Sequence, residues 1–205
     1  MDTTSFEQIR AVISSRRTTK AVAMNKREIP DTQIQQIVAL ADWAPTHGQT
    51  EPWRFFIFGG DALKQFGQVH ADLYWSHTDE EKRTRAKYDK LIASANHASH
   101  LIISVMKRDV NMKIPASEER SAVAAAIQNI LLGATALGIA SFWSTGGMTY
   151  HPALKEYLQL AEEDNVMGLL YLGYTDEPVK RGKRSIPLEE KVVWIKNISQ
   201  FREEK

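Results

Sequence analysis

The hydrophobic positions of the chain repeat with two different periods, which predict helices in some segments and strands in others. Over residues 5–15 the apolar residues return every three or four positions, as on one face of a helix. The same spacing after Pro30 predicts a second helix, which Pro45 ends. The continuous apolar run 53–58 predicts a strand that Gly59-Gly60 ends. The residues expected to form the buried stripe of the first helix are Phe6, Ile9, Val12 and Ile13.

The rest of the pattern predicts four more helices and three more short strands. The predicted helices are 61–75, 79–95, 117–138 and 152–160, and the predicted strands are 101–106, 140–144 and 167–174. The helix at 117–138 is apolar nearly all round, so we expect other elements to cover it on every side. Strands separated by helices, without a long linker or a repeat, predict one layered α/β or α+β structure. No strand leads into a G-x-G-x-x-G motif, which argues against a dinucleotide-binding Rossmann fold.

Composition and charge argue against several classes of function. The 205 residues carry 26 basic and 25 acidic side chains, and a net charge of +1 does not suggest a nucleic-acid or acidic-membrane partner. The absence of cysteine excludes disulfides and cysteine-ligated metals, and it fits a reducing cytoplasm. The N-terminal residues lack the basic and apolar regions of a secretory signal. The most apolar stretch, 122–140, contains Gln128, Asn129 and Thr135, so we interpret it as a buried helix rather than a membrane span.

Two basic clusters are candidate anion-binding sites. Arg16-Arg17-Thr18 follows the first predicted helix, and Lys180 to Arg184 lies near the end of the chain. A guanidinium pairs with phosphate through two parallel hydrogen bonds, and a threonine hydroxyl adds a third donor. The alternative interpretation is a solvated helix terminus and a charged loop. The sequence does not show whether the two clusters meet.

The segment APTHGQTEPW, residues 44–53, holds more hydrogen-bonding groups than a connection needs. His47 and Gln49 could read the polar edge of a heterocycle, together with Thr46 and Arg54. His47 could also act as a general acid, although nothing nearby in the sequence orients it. Trp53 begins an apolar strand, and we expect it in the core.

The run Phe142 to Gly147 passes from a strand into paired glycines. Glycine lets backbone amides approach a ligand closely, and amides beside aromatic residues suit a flat ring. The alternative is a tight turn between a strand and a helix. No G-x-S-x-G motif supports a serine hydrolase. Four histidines have no accompanying acidic motif for a metal, and we expect them at the surface; they are His70, His77, His97 and His100.

Taken in order, these motifs resemble the FMN-dependent nitroreductase family, from Arg16 to about Val193. A histidine in the loop and a tryptophan after the third strand make the chain most similar to the small single-domain bacterial NAD(P)H nitroreductases. The matching stretches are Arg16-Arg17-Thr18, Ala44 to Trp53, Gln128-Asn129-Ile130-Leu131 with Leu137-Gly138, Trp143-Ser144-Thr145-Gly146, and Arg184 to Glu190.

The resemblance implies the fold, the assembly and the chemistry. The expected fold is α+β, a single domain over residues 1–205 whose central, mostly antiparallel sheet is flanked by helices. The expected assembly is a homodimer with FMN at its interface and a C-terminal extension over the partner subunit. The expected activity is ping-pong hydride transfer from NADH or NADPH, through the flavin N5, to a nitroaromatic or quinone-type acceptor.

The resemblance also implies roles for individual residues, none of them catalytic. Arg16 and Thr18 would hold the phosphate and ribityl chain of FMN with Arg17 nearby, and Arg184 would close on the phosphate. His47 and Gln49 would lie along the cofactor, from the partner subunit. Backbone donors near the flavin ring would come from Trp143, Ser144, Thr145 and Gly146.

Two departures from the family pattern bear on the substrate. Gln49 and Glu51 stand where larger members carry Asn and Gln, and the ring-contact segment lacks a Pro-x-Glu-Gly motif. One alternative is therefore a specialised flavoenzyme of the same fold, a flavin-fragmenting enzyme or a reductive dehalogenase. The segment Asp72-Leu73-Tyr74, with Lys82 and Lys87, could mimic the lid of such a dehalogenase. Another alternative is a flavin-binding protein without turnover.

Overall fold

The computed structural model describes residues 3–178 and 180–197, which fold into six α-helices and four β-strands. In chain order the elements are α1 (Thr4–Ser15), α2 (Asp31–Ala41), β1 (Trp53–Gly59), α3 (Gly60–Ser76), α4 (Arg85–His97), β2 (His100–Met106), α5 (Ala116–Ala136), β3 (Ala140–Ser144), α6 (Pro152–Tyr157) and β4 (Asn165–Gly173). The predicted domain 1–205 includes residues 1, 2, 179 and 198–205, which lie outside the described residues.

The four strands form one antiparallel sheet in the order β1-β2-β4-β3. β1 and β3 are therefore the two edges of the sheet, with β2 and β4 between them. All seven residues of β2 are buried, because helices cover the sheet on both faces. The predicted mostly antiparallel sheet is confirmed.

The sheet separates two hydrophobic cores, as the alternation of side chains along each strand requires. Ile102 packs into the core with α2 and α5, and Ile103 packs into the other core with α3, α4 and α6. Trp53 is buried, as predicted, and its indole N–H donates to Asp42 (3.0 Å). Helices on both faces of an antiparallel sheet confirm the predicted α+β fold class.

Three local predictions were wrong. The stripe of α1 is not buried, since Phe6, Ile9 and Ile13 are 65%, 60% and 52% exposed. α1 packs against the edge of α5, and the described residues do not cover its outer side. α5 likewise leaves one face exposed, which includes Gln128. α4 begins at Arg85 rather than residue 79, because Thr84 is extended and its hydroxyl caps the helix.

Gly168 allows the indole of Trp143 to lie against β4. The Trp143 Nε1–H donates to the Met167 carbonyl (3.1 Å), and a Cβ at Gly168 would lie 2.0 Å from Nε1. We expect Gly168→Ala to lower the free energy of unfolding by about 2–3 kcal/mol through overpacking, measured by urea denaturation. Gly146→Ala is the control, because its Cβ would meet only the Ser144 Oγ, at 3.9 Å. Equal stability of the two variants would contradict this role of Gly168.

Candidate functional site

The segment after α1 lies beside the edge strand β3. Thr18 forms a parallel bridge with Ser141, and the Thr19 N–H donates to the Ser141 carbonyl (2.9 Å). β3 offers these backbone groups because it is an edge strand. The predicted phosphate segment and the predicted ring segment are therefore neighbours.

A cleft of about 390 Å³ opens between this segment and the chain that leaves β4. Three cations line it, Arg17, Lys20 and Lys180, with Glu177 as the acidic residue. Glu177 lies 3.7 Å from the Lys180 ammonium. The cleft is therefore net positive. The two basic clusters, which the sequence could not connect, converge here. The other lining residues are Thr18, Thr19, Val22, Ala23, Thr175 and Pro178.

Arg17 joins the two clusters by holding the C-terminal segment in place. Its Nε donates to the Lys180 carbonyl (2.8 Å), and its Nη1 donates to the carbonyls of Ser14 and Arg16 (2.7 and 2.8 Å). Gly182 lies so close that a Cβ there would be 2.7 Å from the guanidinium carbon. These bonds leave part of the guanidinium free to face an anion.

Two predicted phosphate ligands lie outside the lining of this cleft, and one lining cation was missed. Arg16 is half-buried, and Arg184 is exposed with its Nη1 donating to the Lys183 carbonyl (3.1 Å). Their contact with phosphate stays a prediction. Lys20 was not predicted as a site residue, although it lies only two residues after Thr18 in the sequence. Lys20 is the third basic residue within positions 16–20, and this clustering could have identified it as a candidate phosphate ligand.

The loop after β3 lies at the same edge of the sheet, and within it the Gly146 N–H donates to the Ser144 Oγ (3.4 Å). Ser144 is half-buried, whereas Thr145 and Gly146 are exposed. The Thr149 hydroxyl donates to the Gly146 carbonyl (2.6 Å) and tightens the loop. Gly147 has φ +67°, a left-handed conformation that glycine adopts without strain. Trp143 is packed against the core through its bond to Met167, so its indole is already engaged.

His70 on α3 contacts this loop from beneath, contrary to the prediction of a surface histidine. Its side chain is buried, and its Nε2 accepts the Met148 N–H (2.9 Å). Burial, with a smaller contribution from the charge of Lys87, lowers the pKa of His70 to about 4. The imidazole is therefore neutral at physiological pH.

His100 is the second histidine that was wrongly expected at the surface. The Ser99 hydroxyl bridges the Ile29 N–H (2.7 Å) and the His100 Nδ1 (2.9 Å), and the His100 Nε2–H donates to Asp31 (3.0 Å). This chain fastens the segment before α2 to the start of β2. His77 is exposed and His97 is half-buried.

The loop 44–51 is shaped by three residues with positive φ. Gly48, Gln49 and Glu51 have φ of +60°, +53° and +41°, and such strain in non-glycine residues is common at functional sites. His47 Nδ1 lies 2.6 Å from the Glu118 carboxylate, which orients the imidazole. Glu118 is 71 residues away in the chain, so no local sequence pattern indicates this contact.

The fold places this loop and the cleft at opposite edges of the sheet. The loop precedes β1, and the cleft lies beside β3. Three strand spacings separate these edges, or about 14 Å. Within one protomer, His47 and Gln49 are therefore apart from Arg17, Thr18 and the loop after β3.

Buried neutral His70 should make the stability of the protein depend on pH. The unfolded state takes up a proton near pH 6.5, whereas the folded state does so only near pH 4. The stabilisation is therefore complete above pH 6.5 and is lost as the pH falls towards 4, a change of about 3 kcal/mol. Urea denaturation at pH 7, 5.5 and 4.5 should show this slope in the wild type and a weaker one in His70→Gln. Identical slopes would contradict the pKa of His70.

Two further features of the described residues bear on function. Over residues 3–178 and 180–197, no helix is both long and apolar enough to cross a membrane. In the same part of the chain, no three His, Asp or Glu side chains are grouped to hold a metal ion.

Comparisons with known proteins agree with the fold. The profile of the nitroreductase family matches residues 13–174. The chain is 30% identical to YdjA of Escherichia coli (strain K12), named as a candidate NAD(P)H nitroreductase, over 145 residues that cover 69% of this chain and 75% of YdjA. A nitroreductase-like family protein from Bacillus cereus has a TM-score of 0.75 at 27% identity, and the match covers 92% of this chain and 96% of that one.

A more distant structural relative shows the same fold. The FMN-dependent nitroreductase NfnB from Mycobacterium smegmatis, solved in complex with NADPH, has a TM-score of 0.72 at 16% identity, with 93% of this chain and 99% of NfnB covered. The family profile spans most of the chain, including the cleft-forming segment 16–19, β3 and the loop that follows it. The chain therefore belongs to the nitroreductase family.

Proposed function

We propose that this protein is an FMN-dependent NAD(P)H oxidoreductase whose cofactor phosphate binds in the cleft beside β3. The observation that carries this proposal is the convergence of Arg17, Lys20 and Lys180 on one cleft. Phosphate is a dianion that guanidinium and ammonium groups bind strongly. The fold shared with NfnB, which is FMN-dependent and was solved with NADPH, supports the choice of cofactor.

The residues around the cleft fit the rest of the cofactor. The exposed residues Thr145 and Gly146 lie at the same edge of the sheet, and the Thr145 N–H could donate to the polar atoms of the flavin ring. FMN, when bound, supplies the hydride chemistry at its N5. The task of this chain is to bind the phosphate, orient the ring and leave one face open to substrates. Arg16, Thr18 and Arg184 remain proposed ligands of the phosphate and ribityl chain.

We propose a homodimer because the site is incomplete within one protomer. His47 and Gln49 precede β1, which lies about 14 Å across the sheet from β3 and the cleft, so a second copy would bring them to the cofactor. The apolar side chains on α1 are exposed, as are Trp43 (86%) before β1 and Trp194 (79%) near the end of the described chain. Apolar surface of this kind indicates a protein partner. The C-terminal extension would lie over that partner.

The dimer is tested by placing a charge on α1. We expect wild-type protein to sediment as a dimer, and Ile9→Asp to shift it to monomer and to lower its FMN content. Gln8→Asp is the control, because Gln8 is an exposed polar residue in the middle of the same helix. Dimers of unchanged stability in Ile9→Asp would show that α1 is not part of the interface.

We propose ping-pong turnover with nitroaromatic or quinone-type acceptors. Donor and acceptor would use the same open face of the site in turn, which gives parallel lines in a double-reciprocal plot. The test is oxidation of NADH and NADPH by purified protein with nitrofurazone and with a quinone, compared with free FMN. Protein that stays colourless after FMN is added, or oxidation no faster than with free FMN, would refute the proposal.

Two of the residues suggested for a dehalogenase lid are engaged in other contacts within the described part of the chain. Tyr74 is buried and its hydroxyl accepts the Thr84 N–H (2.9 Å), so it is not available as a lid residue. Lys82 is paired with Asp79 in an exposed turn (2.5 Å). Assays with a halotyrosine should show no turnover.

The proposed cellular location is the cytoplasm, because the chain contains no cysteine.

A further inference from the structure

His70 touches the loop after β3 at two successive residues. Its Nε2 accepts the Met148 N–H (2.9 Å), and its ring lies under Gly147, where a Cβ would come within 2.5 Å of Nε2. The ring itself is fixed by stacking on Phe66, with 5.6 Å between ring centroids. The loop backbone therefore packs against an imidazole whose position is fixed by α3.

The contact from His70 differs from the other hydrogen bonds of the loop. Thr149 and Ser144 bond to Gly146, and the His151 N–H donates to the Met148 carbonyl, so these bonds stay within the turn. His70 lies on α3, 78 residues before Met148 in the chain, and contacts the loop from the core side. It fixes where the whole loop lies relative to the sheet.

This contact determines the tautomer of the neutral His70 ring. Because Nε2 accepts a hydrogen bond, the ring proton lies on Nδ1, which is buried and has no hydrogen-bond partner among the described residues. A buried donor without a partner costs about 1–3 kcal/mol, and an apolar side chain of similar size would avoid that cost. Packing alone does not explain a histidine at this position.

We propose that His70 is a positioning residue for the flavin-facing loop. By accepting the Met148 N–H, it holds the loop, with the exposed Thr145 and its amide, in the orientation that meets the flavin ring. This inference rests on the proposed function. An amide fixed in this way favours the reduced, more negative ring, so His70 raises the midpoint potential of bound FMN.

The test compares His70→Leu with His70→Gln. The glutamine amide oxygen reaches about as far as the imidazole Nε2 and can accept the same N–H. We expect His70→Leu to raise the Kd for FMN up to about tenfold, the value of one lost hydrogen bond, and to lower the midpoint potential. His70→Gln should restore both to within about twofold of wild type.

Leu63→Ala is the matched control for a loss of packing. Leu63 lies on the same helix and is buried in the core that contains Phe66, but its aliphatic side chain neither stacks on His70 nor bonds to the loop. We expect Leu63→Ala to lower the melting temperature while leaving the Kd for FMN and the midpoint potential unchanged. If it alters both as much as His70→Leu does at equal loss of stability, the role of His70 is only structural and the proposal is overturned.

A measurement on the protein without FMN separates this inference from the proposed function. Hydrogen exchange at the Met148 amide should be faster in His70→Leu than in wild type and restored in His70→Gln. Unchanged exchange in His70→Leu would overturn the contact itself, whether or not flavin binds. Wild-type protein that shows this protection but does not bind FMN would overturn the proposed function, and the flavin-positioning role with it.

Discussion

Replacing Lys20 with methionine should weaken FMN binding about tenfold to a hundredfold. Lys20 lines the cleft beside Arg17 and Lys180, and a hydrogen bond to a charged group contributes about 1.5–3 kcal/mol. Methionine keeps the length and the apolar stem of the side chain but removes the charge. The measurement is a titration of protein without FMN by flavin fluorescence, at fixed ionic strength because the interaction is screened by salt.

A matched surface variant controls for the loss of one positive charge. Lys64 is exposed on α3, pairs with Asp61 (2.9 Å) and lies outside the cleft lining. Lys64→Met should therefore leave the Kd for FMN unchanged. Lys20→Met/Lys180→Met should bind more weakly than either single variant. Wild-type affinity in the double variant would show that the phosphate binds elsewhere.

Replacing Glu119 with alanine should lower the free energy of unfolding by about 3–5 kcal/mol. Glu119 is fully buried in the first turn of α5, where its carboxylate pairs with Arg108 and accepts the Asp109 N–H (3.1 Å). Arg108 also donates to the Ile114 carbonyl (2.9 Å). Removing the carboxylate leaves a largely buried guanidinium without its counter-charge. Urea denaturation at pH 7 measures the loss.

Two further variants separate burial of a charge from loss of an ion pair. Glu118→Ala removes the neighbouring carboxylate, which is half-exposed and pairs with His47, and should cost less than about 1 kcal/mol. Arg108→Met/Glu119→Met should recover most of the stability lost in Glu119→Ala, because no charge then remains buried. A double variant as unstable as Glu119→Ala would show that the connection 107–115 needs these polar contacts.

Glu119 also illustrates why sequence patterns miss certain residues. It stands next to Glu118 in a run of charged residues, and nothing in the spacing distinguishes the two. Their environments differ because one side of α5 faces the core and the other faces solvent. His70 was misjudged for the same reason, since a histidine on a helix carries no sign of whether its face is covered.

The errors over α1 and α5 have a different physical cause. The apolar spacing of α1 predicts its helix correctly, and the structure confirms one over Thr4–Ser15. The pattern predicts that one face of the helix is apolar, but it does not predict which element or subunit covers that face. In the described protomer the stripe with Phe6, Ile9 and Ile13 is exposed, and the proposed partner subunit would cover it.

Secondary structure and fold class followed from the sequence because they depend on local periodicity and on short breaks such as Gly59-Gly60 and Pro45. The bounds of β3, Ala140–Ser144, were predicted without error. The family also followed from the sequence, since its motifs are contiguous and keep their order. What only the tertiary structure decided is which distant residues meet: Arg17 with Lys180, His47 with Glu118, and His70 with Met148. Each of these pairs is separated by at least 70 residues, and their contact depends on the strand order β1-β2-β4-β3 and the packing of helices on it, which no local pattern encodes.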